Sequence, residues 1–150
     1  DEVSVEAEAL FSAGNWHLEK GSFDEAVTAF RMAAGRAEAL GDFTSQLECL
    51  QSAASALLSA GALKEAVEVT NEVIYYWEAA GSPLWPKALT LTTLAKLHLM
   101  LLEEAGEGEE EQVAEDGSLH SEVAKEAADM AAALLEEFMK QSDEVTAARA

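Results

Sequence analysis

Displaced by 40 residues, the first half of this chain falls on itself. Glu8 lands on Glu48, Leu10 on Leu50, Ser12 on Ser52, Ala13 on Ala53, Leu18 on Leu58 and Gly21 on Gly61. Glu25-Ala26-Val27 then lands on Glu65-Ala66-Val67, Glu38-Ala39 on Glu78-Ala79, and Gly41 on Gly81. These twelve identities fall within the 35 positions from Ala7 to Gly41, where roughly three or four would arise by chance. A period of this size marks a supersecondary unit that buries its apolar face by stacking on its neighbours.

Each unit reads as two helices. Gly21 or Gly61 ends the first, because glycine enters the left-handed conformation without a steric penalty. The apolar residue two places later, Phe23 or Leu63, is placed to pack back on it. The second helix is expected from near Asp24 or Lys64 to the stop at Gly41 or Gly81. Ala26 and Ala66 let two helices approach closely, while Phe30 and Thr70 fill the space beside them. A third unit follows if an insertion is allowed. Its first helix is expected from Pro86 to about Glu104, Pro86 suiting a first turn, and its second from Glu122 to about Gln141. There Lys125-Glu126-Ala127 echoes Lys64-Glu65-Ala66 at an offset of 61 rather than 40. The extra chain, about 103–119, holds eight acids and no base between Glu103 and Asp116. The expectation is an all-α single domain over 1–150, with repeats at about 7–41, 47–81 and 86–141.

Within the first unit, Leu10, Ala13, Gly14, His17, Ala26, Phe30 and Glu38 occupy the pattern W-x2-L-G-x2-Y, A-x3-F, P. The chain thus resembles the tetratricopeptide repeat family. Gly14, Ala26 and Phe30 match outright, and Gly21-Ser22-Phe23-Asp24-Glu25-Ala26-Val27 is similar to the family's inter-helix turn. Leu10 replaces Trp, His17 replaces Tyr, and the final Pro is missing. The period is similar to the family's longer variant, whose second helix stops at a Gly-Asp such as Gly41-Asp42. The second unit departs further, with Ala54 for Gly and Thr70 for Phe. The resemblance implies an α-α superhelix of three antiparallel helix pairs, with a concave groove lined by the first helix of each.

Composition limits what such a groove would hold. The chain carries 29 acids against 9 basic residues, a formal charge of −20. Phosphate backbones and anionic membrane surfaces are repelled, so nucleic acid is excluded as a partner class. With 49% hydrophobic residues the chain is too apolar for a disordered acidic tail. The most apolar run, Leu84 to Leu102, is broken by Pro86, Lys87, Lys96 and His98, so no transmembrane span is expected. Cys49 alone excludes an internal disulfide. No signal peptide is read, and the start at Asp1 suggests a processed form or a piece of something larger; a cytoplasmic or organelle-soluble location is expected.

Nothing converges into catalytic chemistry. His17, His98 and His120 lie in different elements, and Cys49 has no neighbouring His or Cys to complete a zinc site. His17 reads as a half-buried packing ring, His98 as a groove residue beside Leu94, and His120 as a residue before the last helix. The run Gly106-Glu107-Gly108-Glu109-Glu110-Glu111 lacks the alternating Asp or Asn of an EF-hand loop. No catalytic residue, metal or cofactor is therefore expected.

Partner binding is the expected chemistry. The resemblance places Glu8, Phe11, Asn15 and Leu18 on the groove face of the first unit. Glu48, Gln51, Ser55 and Leu58 follow from the second, and Leu91, Ala95 and His98 from the third. Family members that grip an acidic peptide terminus use basic and Asn side chains there; of these only Asn15 is present. The mixed apolar and acidic lining suits a basic or amphipathic segment instead. The insertion reads either as a solvated stretch held open by self-repulsion or as a second contact surface for a basic partner, at Glu107, Glu109, Glu110, Glu111, Glu115 and Asp116. Tyr75-Tyr76-Trp77 spread around roughly 200° of a helix, so one at least must face outward. Tyr76, Trp77 and Trp85 are candidate anchors, with closure of a hydrophobic seam as the alternative. Met130, Leu134, Phe138 and Met139 form a stripe expected to close the core, with a surface that receives another chain as the alternative. A non-enzymatic adaptor or scaffold is the leading expectation. A structural subunit of a larger complex and a regulatory fragment of a multidomain protein are the alternatives.

Overall fold

The computed structural model describes residues 1–81, 84–105 and 120–149. Six α-helices account for most of them, and no strand occurs among the described residues. They are α1 (Glu2–Glu19), α2 (Phe23–Ala39), α3 (Phe43–Ser59), α4 (Leu63–Ala80), α5 (Leu84–Ala105) and α6 (His120–Arg149). The chain is all-α, as expected. It divides into two compact units, Asp1–Val73 and Ile74–Ala150, with the division inside α4.

Helix ends recur every 20 residues, at Gly21, Gly41, Gly61 and Gly81, with φ of 75°, 71°, 77° and 61°. Gly21 shows why the turn needs this residue. Its N–H donates to the Leu18 carbonyl at 3.1 Å, and the next N–H, of Ser22, reaches back to His17 O at 2.9 Å. Two orphan carbonyls of α1 are satisfied only because the intervening residue is left-handed. The same pair of bonds closes α2 at Gly41 and Asp42, and α3 at Gly61 and Ala62. Helix starts are less uniform. Asp1 accepts from Val3 N at 3.2 Å, which opens α1 several residues before the repeat's own start at Ala7. Asp42 accepts from Ser45 N at 3.1 Å and from Ser45 Oγ at 2.6 Å, capping α3.

In the first unit α1 packs on α2, and α2 on α3. The α1–α2 seam is set by Gly14, whose missing side chain makes room for Phe30. A Cβ there would stand 2.6 Å from Phe30 Cδ1. Phe30 is fully buried and meets Phe11 in a tilted pair, ring centroids 5.5 Å apart. Burying such a ring contributes about 1.5–3 kcal/mol. At the equivalent positions of the next repeat stand Ala54, larger than Gly14, and Thr70, smaller than Phe30, with the Thr70 hydroxyl donating to Ala66 O at 2.7 Å. Two surface ion pairs cross between helices. Arg36 Nε lies 3.0 Å from Glu6 Oε1, off hydrogen-bonding angle, and Arg31 Nη1 lies 3.8 Å from Glu72 Oε2. At this exposure each contributes at most about 1 kcal/mol.

In the second unit α5 packs on α6. Leu91, Leu94, Ala95, Leu97, His98 and Leu101 of α5 are buried, as are Ala124, Ala127 and Ala131 of α6. Small residues three or four apart on α6 let the helix axes come close. The expected second helix of the third repeat is longer than its repeat equivalents, running to Arg149 rather than Gln141. The expected closing stripe is corrected. Met130 and Met139 are exposed and Leu134 is half-buried, while the alanine row carries the contact; the Phe138 side chain lies outside the described residues. α5 begins at Leu84, which puts Pro86 in its first turn, where no backbone N–H is needed.

Candidate functional site: an acidic groove over α2

Three helices of the first unit enclose a groove of about 360 Å³. Its walls are α1, through Ser4, Ala7, Glu8 and Phe11, and the start of α3, through Asp42, Ser45, Glu48 and Cys49. Ala33, Ala37 and Leu40 of α2 contribute the third side. The α2 residues recur at intervals of four and three, so they line one helical face, and alanine keeps the floor shallow enough for a side chain to enter. Phe11 is held partly buried by its contact with Phe30, so its position is set by the core beneath it.

The rim is acidic. Glu8 and Glu48 are exposed on opposite walls, and Asp42 sits at the end of the α3 wall. No Lys or Arg is among the lining residues. The Asp42 carboxyl is held below its ordinary value by the Ser45 hydroxyl, then by the Ser45 backbone N–H, both of which donate to the charged form. Cys49 lies at the apolar base. Burial pushes its thiol up to about 11, and the neighbouring carboxylates of Glu48 and Asp42 push in the same direction. It is a protonated, apolar group at neutral pH, consistent with a packing role rather than nucleophilic chemistry. Among the described residues no cluster of three or more His, Cys, Asp or Glu side chains is arranged to hold a metal ion.

The expected groove residues separate. Glu8, Phe11 and Glu48 line the cavity. Asn15 and Ser55 are exposed, and Leu18, Gln51 and Leu58 are half-buried, all further along their helices and outside its lining. Leu91, Ala95 and His98 are corrected. They are 3%, 6% and 1% exposed, buried inside the second unit rather than facing a groove. α5 is apolar over more of its circumference than α1, so the face taken for a groove lining is a core face. The residues sequence reasoning missed sit one turn nearer the helix starts. The Ala29-Ala33-Ala37 row on α2 and the Asp42 cap were the available signals.

The aromatic anchors also separate. Trp77 is 7% exposed, so burial removes it as a surface anchor, while its neighbour Tyr75 faces outward. Tyr76 is half-buried and meets the Tyr75 ring edge-on at 5.8 Å. Trp85 falls in the first turn of α5, with its side chain outside the described residues. Glu107, Glu109, Glu110, Glu111, Glu115 and Asp116 likewise lie outside the described residues. His17 is half-buried against the Trp16 ring at 5.0 Å, and His120 is the first residue of α6 rather than a residue before it. No described helix is long and apolar enough to cross a membrane. No protein-family model matches the chain, and no curated protein matches it either.

Proposed function

We propose that this chain is a non-enzymatic, tetratricopeptide-like binding module whose α1–α2–α3 groove takes a partner segment carrying an apolar anchor flanked by Lys or Arg. The observation that carries the reading is the lining of the 360 Å³ groove, three carboxylates and no base around a floor of Phe11, Ala33, Ala37 and Leu40. An apolar side chain seated on that floor would bring flanking cations to Glu8 and Glu48, and a net charge of −20 would steer a basic partner toward them. The groove is small enough to hold one or two side chains rather than a whole domain. An extended or helical segment of another protein is therefore the fitting occupant. Adaptor or scaffold function follows, and the roles of subunit in a larger complex or regulatory part of a longer protein use the same contact.

The test is fluorescence anisotropy with a labelled peptide in which Leu and Phe are flanked by Lys. A second peptide replaces each Lys by Glu. The Lys peptide should bind, its affinity should fall as salt rises, and Glu8→Lys with Glu48→Lys should weaken it at least about tenfold. Equal binding of both peptides, or binding indifferent to the two reversals, refutes the reading.

A further inference from the structure

The repeat itself identifies a second surface. Along α1, Val5, Ala9, Ser12, Ala13 and Trp16 recur at intervals of three and four, and all five are exposed, Val5 at 66% and Trp16 at 56%. Forty residues on, the same positions of α3 are Ser45, Cys49, Ser52, Ala53 and Ala56. There Cys49 is buried, Ala53 and Ala56 are wholly buried, and both serines are half-buried. The difference has a structural cause. α3 has α2 packed beside it, whereas no described helix covers the corresponding side of α1. The small residues that let α2 approach α3 are present on α1, with Ser12 and Ala13 identical in both repeats. This stripe is therefore a helix-docking face by its own internal precedent.

The residues that differ in size between the repeats say which helix docks. Val5 stands for Ser45 and Trp16 for Ala56, so a helix seated as α2 sits on α3 would meet the indole. The two bulky residues lie at opposite ends of the stripe, about 17 Å apart along the axis, with Ala9, Ser12 and Ala13 between them. Such an arrangement is its own complement when reversed. Val5 then faces Trp16 of the other helix at each end, and the small residues meet at the centre. Charges at the ends follow the same symmetry. Glu2 and Lys20 are 18 positions apart, a whole number of turns, so both flank the stripe on one side. Antiparallel pairing brings each Glu2 to a Lys20, whose ammonium already lies 5.9 Å from the Trp16 ring centroid. We propose that the outer face of α1 is the interface of an antiparallel, two-fold homodimer, the occupant being α1 of a second copy of this chain.

The interface is isologous, so the assembly closes at two copies. It leaves the groove free, because Ser4, Ala7, Glu8 and Phe11 lie on a different face of α1, and the inference does not rest on the binding activity proposed above. One helix pair places it at the small end of protein interfaces, with dissociation in the micromolar range. The repulsion between two acidic chains is confined at about 0.15 M salt, where the Debye length is about 8 Å.

Sedimentation equilibrium of the full chain at about 0.15 M salt tests this. The expected result is a concentration-dependent species of twice the 16.0 kDa chain mass. Trp16→Ala removes both indoles of the two-fold interface and should weaken it at least about 30-fold, as loss of tryptophan anchors does, with the far-UV circular dichroism melt of the monomer unchanged within error. Glu2→Lys and Lys20→Glu should each weaken the dimer, and the double reversal should restore it. Within one helix these two side chains are about 27 Å apart, so only an antiparallel partner gives that rescue. A chain that stays monomeric at several hundred micromolar, a dimer indifferent to Trp16→Ala, or reversals that fail to rescue one another each overturns the proposal.

Discussion

Gly14→Ala separates packing from helix propensity in one substitution. Mid-helix, replacing Gly by Ala ordinarily stabilises by about 1 kcal/mol, because the backbone loses less freedom on folding. At Gly14 the new methyl would stand 2.6, 2.6 and 2.9 Å from Cδ1, Cε1 and Cζ of Phe30. Ordinary carbon contacts are about 3.5–4.0 Å. The rigid, fully buried ring, already in contact with Phe11, must retreat by about 1 Å. Overpacking of this kind costs about 1–3 kcal/mol. The two effects leave a net loss of up to about 2 kcal/mol, or up to several degrees in melting temperature for a chain of this length. Gly35→Ala is the control, since a Cβ there meets nothing within 4 Å, and it should stabilise by about 1 kcal/mol. Phe30→Thr copies the Thr70 arrangement of the second repeat. In that background the clash is gone, and Gly14→Ala should change sign and stabilise. Urea titrations followed at 222 nm for the four variants and the parent give the cycle. If Gly14→Ala stabilises as much as Gly35→Ala, the close-packing argument fails.

Three further outcomes are expected. The depressed Asp42 carboxyl stabilises the fold fully above its unfolded value of 3.8 and loses that contribution as pH falls through the lower folded value. Asp42→Asn, which keeps a neutral cap, should therefore flatten the acid limb of a melting-temperature profile, and an unchanged limb would contradict the cap assignment. Raising Cys49 from 9.0 to about 11 leaves about 100-fold less thiolate at pH 8. Iodoacetamide should modify it at least that much more slowly in the folded chain than in urea, and comparable rates would show that the groove base is open. Gly61→Ala forces an L-residue to φ near 77° with nothing nearby to clash. It should cost about 1–2 kcal/mol, so stabilisation by the substitution would mean that the α3–α4 turn is not left-handed.

Periodicity made much of the fold legible. A displacement of 40 exposes the helix pairs, and the glycines at 21, 41, 61 and 81 mark where helices stop. Those are local decisions, made by φ preference and by hydrogen bonds within a few residues, so the local sequence carries them. The early start of α1 was also legible, in Asp1 as a cap, and so was the length of α6, since neither Gly nor Pro follows Gly117. The repeat frame hid both, because it extends a helix no further than its counterpart elsewhere in the chain.

Which face a helix buries is decided by what lies beside it, and the sequence does not state that. Ala13 and Ala53 are the same residue at equivalent positions, yet one is exposed and the other has no accessible surface. Leu91, Ala95 and His98 have helical spacing compatible with a groove, but in the packed structure that face turns into the core of the second unit. Trp77 and Tyr75 are two positions apart, and tertiary contact buries one ring and leaves the other in solvent. The sequence by itself determined six helices and their ends, because capping, φ preference and spacing act over a turn or two. Only the tertiary structure decided which carboxylates share a groove and which side of α1 is left uncovered, because burial depends on neighbours brought from elsewhere in the chain.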